Sequence, residues 1–147
     1  MNEFYKTVTY LVVSFFICYL SVTLESNFIN GFADNFIALL TTLLAINITS
    51  GSLIAGKLKE LNLSTGQKFE KTIKELKRSL TVQLILIAIS FIVLLVKSSI
   101  VISNLIGVRC LEITTNTMTI GIFIYYLDTI KDLGLALFSL LNFEDKE

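Results

Sequence analysis

A row of small and hydroxyl-bearing residues at helical spacing is the feature of this sequence best suited to chemistry inside a membrane. Steps of four, three, four, three and four residues separate Ala38, Thr42, Ala45, Thr49, Ser52 and Gly56. This spacing keeps all six on one side of a helix, which we call the small face. Small residues let membrane helices approach closely, and hydroxyl groups can line a water-filled pore. The small face is therefore either a packing seam or a pore lining, and both hold if its partner is the same helix of another copy.

A cluster of positive charges follows the small face directly along the chain. Residues 57–79 hold three Glu residues and seven basic ones, namely Lys57, Lys59, Lys68, Lys71, Lys74, Lys77 and Arg78. Basic side chains attract anionic lipid, at about 1 kcal/mol each near a membrane surface, and they also attract phosphate groups. The cluster therefore either sets topology and binds lipid, or binds an anionic nucleotide or single-stranded nucleic acid. Phe69 is the one aromatic residue in the segment, which leaves little for base stacking.

The composition places the chain in a membrane and argues against enzyme chemistry. Of its 147 residues, 54% are hydrophobic and 16% are charged, whereas soluble domains have roughly 45–50% and about 25%. The mean hydropathy is +0.76. The chain has no His and two Cys residues, so a His general base, a zinc-type cluster and a disulfide framework are excluded. We expect no enzyme, no metal and no cofactor.

Four apolar segments are predicted to cross the membrane as helices, at residues 7–24, 36–56, 80–96 and 113–127. The first has eighteen uncharged residues and reaches about 27 Å as a helix, close to the hydrocarbon thickness of a bilayer. A cleaved signal peptide is the competing interpretation, but no small-x-small cleavage site follows. The predicted fold class is all-α, an integral membrane four-helix transmembrane bundle, with residues 1–147 forming a single domain.

The connecting segments are predicted from their turn residues and charges. Residues 25–35 contain Gly, Asn and Asp and indicate a short turn. Residues 57–79 form a basic helical linker, in which a helix begins at Thr65 and carries an apolar stripe. The stripe consists of Phe69, Ile73, Leu76 and Leu80. Residues 98–112 either extend the third helix or form an outer cap or re-entrant turn, and residues 133–143 either continue the fourth helix or lie at the membrane interface.

Several polar residues inside the predicted spans are expected to face the protein interior. Gln83 and Ser90 are seven residues apart and share one helix face. The remaining neutral polar groups indicate an inner lining, and they are Ser14, Cys18, Ser21, Thr117 and Gly121. Cys110 is expected to be a buried small hydrophobic residue.

The distribution of charge predicts the orientation of the chain. With four spans and both termini in the cytoplasm, ten of the twelve Lys and Arg residues lie inside, and only Lys97 and Arg109 lie outside. Spans one to three contain no ionisable acid or base, which argues against a coupled transporter. A channel built from a chain of this size requires an oligomer, and cyclic symmetry around one helix per subunit is the simplest arrangement.

The layout of the chain resembles that of the RexB-like family, the small four-span channel proteins of lambda-type phage exclusion. The resemblance rests on the second span IALLTTLLAINITSGSLIAG, the basic segment from KLKEL to KELKRS, the apolar third span and the tail FEDKE. The layout is also similar to that of the tetrameric channel effectors of bacterial antiphage systems such as Hailong. The resemblance implies a homo-oligomeric channel, with a tetramer favoured, in a bacterial inner (plasma) membrane. It further implies depolarisation of the cell on infection and a nucleotide or oligonucleotide signal bound by the basic segment.

We therefore expect an oligomeric ion channel or pore-forming effector in antiphage defence, gated from the cytoplasmic side. Two other functions remain open. One is a non-conducting membrane anchor that holds a cytoplasmic partner through the basic segment. The other is a holin-like lysis protein, which predicts toxicity on expression without any signal.

Overall fold

The computed structural model describes the backbone of residues 3–24, 26–65 and 69–144, and the side chains of residues 5–24, 26–60, 69–70 and 72–135. The predicted all-α fold class is confirmed. The helices are α1 (Glu3–Thr23), α2 (Phe28–Asp34), α3 (Phe36–Thr65), α4 (Glu70–Lys97), α5 (Ile100–Ile106) and α6 (Val108–Glu144).

Among the described residues, three helices are long and apolar enough to cross a membrane. The segments are Tyr5–Thr23 of α1, Phe36–Glu60 of α3 and Thr72–Lys97 of α4. They cover the first three predicted spans apart from Leu24, the last residue of the first span. The predicted fourth span lies in α6, whose first turns carry Thr and Asn residues that lower its apolar character.

Helix α6 is the centre of the fold, and the other five helices all contact it. Its 37 residues form one continuous helix, which is about 55 Å long. Residues 133–143 therefore continue this helix, which was one of the two predicted alternatives. The surrounding helices bury its polar side chains Thr115, Asn116 and Thr119. The two threonine hydroxyls donate to backbone oxygens four residues earlier, so they are satisfied within α6.

The main hydrophobic core lies where α3, α4 and α6 meet. It contains Phe36, Leu40 and Leu44 of α3, Ile87 of α4 and Tyr126 of α6. The three α3 residues are four apart, so they lie along one side of the helix. Tyr126 is fully buried, and its hydroxyl donates to the backbone oxygen of Leu40 at 3.0 Å. This bond satisfies the one polar group of a large buried ring and joins α6 to α3.

Helix α1 packs on α6 through small side chains. Ser14 and Cys18 are fully buried, and a Cβ placed on Gly121 would lie 3.4 Å from Ser14 Oγ. The Ser14 hydroxyl donates to Tyr10 O at 2.6 Å, and the Cys18 thiol lies 3.6 Å from Ile113 O. Ser14 and Cys18 therefore face the protein interior, where both fill a tight contact between two helices.

One predicted connection differs from the structure, and for another the structure excludes one of the predicted alternatives. Residues 25–35 do not form a simple turn, because Ile29 and Ala33 are buried and hold residues 28–34 as α2. The third helix does not extend beyond Lys97. Ser99 caps the separate helix α5, accepting a hydrogen bond from the Ile102 amide at 3.4 Å. Helix α5 ends at Ile106 and is followed by Gly107, whose φ is +87°.

The prediction that Cys110 is buried is also wrong. Its side chain is exposed in the first turn of α6. The neighbouring residues Val108 and Arg109 are exposed as well. This turn lies just beyond Gly107, where the chain leaves α5 and has few neighbours to cover it.

The predicted linker consists of the ends of two long helices. Helix α3 continues to Thr65 and α4 begins at Glu70, so the prediction that a helix begins at Thr65 is wrong. The Lys, Leu and Glu residues after Gly56 are good helix formers and carry α3 onward. We call residues 57–65 and 69–79 the basic hairpin.

The basic hairpin has its own hydrophobic core. Ile54 and Leu58 of α3 pack with Leu76 of α4 and Leu133 of α6. In the predicted apolar stripe, Leu76 is buried, and Phe69, Ile73 and Leu80 are half-buried. The stripe therefore points inward, and its partners are α3 and α6.

Candidate functional site: the small face of α3 and the basic hairpin

Helix α3 has a core face and a small face on opposite sides. The core face consists of buried residues at steps of three or four, and they are Phe36, Leu40, Leu44, Asn47, Gly51, Ile54 and Leu58. Each residue advances a helix by 100°, so a residue two positions after a core residue lies roughly 200° away. Ala38, Thr42, Thr49 and Gly56 stand at such positions. The sequence prediction of one continuous face is therefore consistent with how α3 sits in the fold.

All six residues of the small face are exposed. No heavy atom lies within 4 Å of the place where a Cβ on Gly56 would stand, apart from its own helix backbone and chain neighbours. Packing between α3 and the rest of the described chain instead uses the core face. The small face is therefore available to lipid, water or a second copy of the chain.

The hydroxyl groups of the small face are satisfied without an external partner. Thr42 donates to Ala38 O at 2.8 Å, Thr49 to Ala45 O at 3.0 Å and Ser52 to Ile48 O at 2.9 Å. Each oxygen keeps lone pairs that can still accept a hydrogen bond or approach a cation. The small face can thus enter a membrane without orphaned donors and still offer oxygen atoms to water or ions.

The basic residues lie on a helical scaffold. The side chains of Lys57, Lys59, Lys74, Lys77 and Arg78 are exposed. Lys68 and the side chain of Lys71 lie outside the described residues.

An exposed ion pair joins Lys57 Nζ to Glu60 Oε2 at 3.5 Å. Such pairs contribute about 0–1 kcal/mol, so this one holds the ammonium group only loosely. The Lys74, Lys77 and Arg78 side chains are exposed on a packed helix, where an anionic partner can reach them.

A buried amide pair joins α3 to α4 on the side opposite the small face. Asn47 Nδ2 donates to Gln83 Oε1 at 2.9 Å, and Gln83 Nε2 donates to Ser79 Oγ at 3.5 Å. Gln83 is fully buried and Asn47 is 4% exposed. The prediction that Gln83 and Ser90 point inward is confirmed, since Ser90 is also fully buried. The pairing with Asn47 was missed, although its place among Leu40, Leu44 and Gly51 at helical spacing is the signal that locates it.

A second polar cluster lies where α2, α4 and α6 meet. Lys97 Nζ donates to Asn30 Oδ1 at 3.0 Å and to Asn116 Oδ1 at 2.9 Å. Asn30 Nδ2 in turn donates to Glu112 Oε1 at 3.1 Å. Sequence reasoning missed this cluster because its members are far apart in the chain and no local spacing connects them.

At the opposite end of the bundle an ion pair connects α1 with α6. Lys6 Nζ lies 3.4 Å from Asp128 Oδ2, and both side chains are mostly buried. Throughout the part of the chain that the structure describes, no group of three or more Cys, Asp and Glu side chains could hold a metal ion.

No protein-family model matches the chain, and no curated protein or solved structure is significantly similar to it.

Proposed function

We propose that the protein is a homo-oligomeric membrane channel whose small faces surround a central pore. The observation that carries this proposal is that the small face is exposed along its whole length, on the side of α3 opposite the core. Ala38 and Gly56 are 18 residues apart, or about 27 Å, close to the roughly 30 Å of hydrocarbon in a bilayer. A ring of α3 helices would line that thickness with hydroxyl groups and small side chains. We favour a tetramer.

The contrast between α3 and α4 supports this arrangement. The exposed side of α4 carries large apolar residues such as Leu84, Ile85 and Ile92, which suit lipid. The small face offers lipid little apolar area, whereas it suits either water or a closely packed helix. The exposed surface of α3 also carries Ile46, Ile48 and Leu53, so the contrast with α4 belongs to the small face itself.

Helix α6 is proposed as the fourth span. A helix that the others enclose can carry polar residues such as Asn116 at membrane depth, because protein rather than lipid surrounds them. Both termini then lie in the cytoplasm together with ten of the twelve basic residues. We place the protein in a bacterial inner (plasma) membrane.

The basic hairpin is proposed as the ligand-binding segment that opens or closes the pore. Its first part, residues 57–65, continues α3 without a break, so a ligand that moves that part also moves the small face. Its charge fits an anionic nucleotide or a single-stranded nucleic acid. A channel of this kind serves antiphage defence by depolarising the cell when the signal appears.

The test is conductance of the purified protein in liposomes. Thr49→Leu places a bulky apolar side chain on the small face and should lower ion flux about tenfold or more, because hydrophobic constrictions exclude water. Thr81→Leu is the matched control: Thr81 is an exposed α4 threonine whose hydroxyl also donates to its own helix, at 2.9 Å. A wild-type protein that is monomeric, or that never conducts with or without nucleotides, would refute the channel.

A non-conducting anchor for a cytoplasmic partner is the second candidate. The packed core under the basic hairpin favours it, because a rigid charged surface is suited to docking. Charge reversal at Lys74 and Lys77 that abolishes partner capture, in a protein that does not conduct, would support the anchor over the channel.

A further inference from the structure

A cleft of about 370 Å³ opens between α1 and α4, with α6 as its floor. Leu11 of α1 forms one wall, Ile89 and Val93 of α4 form the other, and Met118 and Gly121 lie along the floor. Leu11, Ile89 and Met118 are exposed, so the cleft is open on the outside. Its volume lies within the roughly 300–1,000 Å³ typical of small-molecule sites.

One end of this cleft is polar. Thr7, Tyr10 and Tyr125 line it there, and the two tyrosine rings meet edge to face with centroids 6.3 Å apart. Asp128, one turn after Tyr125 on α6, forms the ion pair with Lys6. The cleft thus runs from an apolar floor at membrane depth to a neighbouring positive and negative charge.

We infer that the cleft binds one acyl chain of a zwitterionic phospholipid from the leaflet on the Lys6 side. The chain lies on Met118 and Gly121 between α1 and α4. The headgroup lies beside Tyr10, with its phosphate toward Lys6 and its ammonium toward Asp128. Tyrosine is suited to this level because its ring is apolar and its hydroxyl is polar.

The short length of the cleft along the helices favours a lipid over a helix from a second copy. Its α4 wall runs from Leu86 to Val93 and its floor from Met118 to Tyr125, which is about 10 Å of helix in each case. A transmembrane helix needs contacts along about 30 Å. A short apolar groove with the Lys6–Asp128 ion pair beside its polar end matches an amphiphile with a zwitterionic head.

The test is lipid retention by the full-length protein. The protein is incubated with vesicles of equal parts phosphatidylethanolamine and phosphatidylglycerol, purified in mild detergent and weighed by native mass spectrometry. Ile89→Trp fills the cleft and should retain roughly tenfold less phospholipid than the wild type. Ile92→Trp adds the same bulk to an exposed α4 residue that does not line the cleft and should retain as much as the wild type.

Phosphatidylethanolamine should be retained in preference to phosphatidylglycerol, and equal retention would overturn the headgroup assignment. Equal retention by both Trp variants would overturn the site, as would a change in oligomeric mass with Ile89→Trp alone, because a second copy would then fill the cleft. If far-UV circular dichroism shows that Ile89→Trp fails to fold, Met118→Trp replaces it. This inference is independent of ion conduction.

Discussion

At the scale of single residues, buried polar side chains hold the helices of this fold together. A polar group in hydrocarbon has no water to bond with, so a lost partner leaves an unpaired group behind. Asn47 and Gln83 pair at 2.9 Å across α3 and α4, and Tyr126 reaches the backbone of α3 at 3.0 Å. These bonds determine which side of α3 faces the core and therefore which side is exposed.

Gln83→Leu should destabilise the protein by about 1–3 kcal/mol, because it leaves the buried Asn47 amide without its acceptor. The double variant Asn47→Leu with Gln83→Leu should recover a large part of that loss, since both polar groups are then removed. The measurement is unfolding in a detergent titration followed by far-UV circular dichroism.

Thr81→Ala is the control for this pair of variants. Its hydroxyl is exposed on the same helix and bonds only its own backbone among the contacts described, so the change should stay within about 0.5 kcal/mol. A Gln83→Leu protein as stable as this control would show that the amide pair contributes nothing.

At the scale of helices, α3 and α4 extend well beyond the ends of the predicted spans. Helices α3 and α4 both extend into the basic hairpin, where Leu58 and Leu76 give them a core outside the predicted spans. Residues 69–79 belong to α4, whereas residues 57–65 and the small face are parts of one helix, α3. A flexible linker would have separated them mechanically.

Leu58→Ala should loosen the basic hairpin without unfolding the membrane part. Leu58 is 1% exposed, and truncating a buried leucine costs about 2–5 kcal/mol. Hydrogen exchange in peptides covering residues 70–79 should accelerate about tenfold or more, while exchange over residues 84–95 stays as in the wild type. Leu53→Ala on the same helix is the control, because Leu53 is 66% exposed. Unchanged exchange at residues 70–79 would contradict the packed hairpin.

The helices themselves could be predicted from sequence where the apolar runs are long, and the ends could be predicted only in part. The start of α3 at Phe36 and the end of α4 at Lys97 follow from the charges that flank the spans. Residues 25–35 were mistaken for a turn because Gly31 and Asn30 are turn formers, and only the burial of Ile29 and Ala33 against the bundle outweighs that preference.

For the candidate site, the sequence predicts which residues share one helix face but not whether that face is exposed. The spacing of the small face identifies its residues, since a helix places them on one side whatever surrounds it. Whether that side is buried within the chain depends on the positions of α4 and α6, which local spacing does not contain. Likewise, the contact of Lys97 with Asn30 and Asn116 joins three segments and has no local signature.

At the scale of the whole molecule, a single chain leaves much apolar and small-residue surface uncovered. Helix α1 buries little besides Ser14 and Cys18, and its side chains Val12, Phe15 and Phe16 are exposed. Lipid covers such residues readily, whereas the small face packs most closely against another protein helix. The proposed oligomer therefore places α3 at the centre and leaves α1 and much of α4 at the periphery.

Cysteine cross-linking should detect this arrangement. In a Cys110→Ser background, Thr49→Cys should form covalent dimers on oxidation in membranes, because equivalent positions of a close-packed ring approach one another. Ile85→Cys, on the exposed apolar side of α4, should form far fewer. Cys18 remains as a fully buried residue in both variants and provides the internal baseline. Equal cross-linking at positions 49 and 85 would contradict a central α3.

The unbroken length of α6 has a mechanical consequence. A rigid rod of about 55 Å that contacts all five other helices acts as a lever, because a tilt of roughly 10° moves one end by about 10 Å relative to the other. A small change in bilayer thickness or lateral tension can tilt a helix that is longer than the membrane. With α6 as the proposed fourth span, such a tilt would reach α1, α3 and α4 at the same moment.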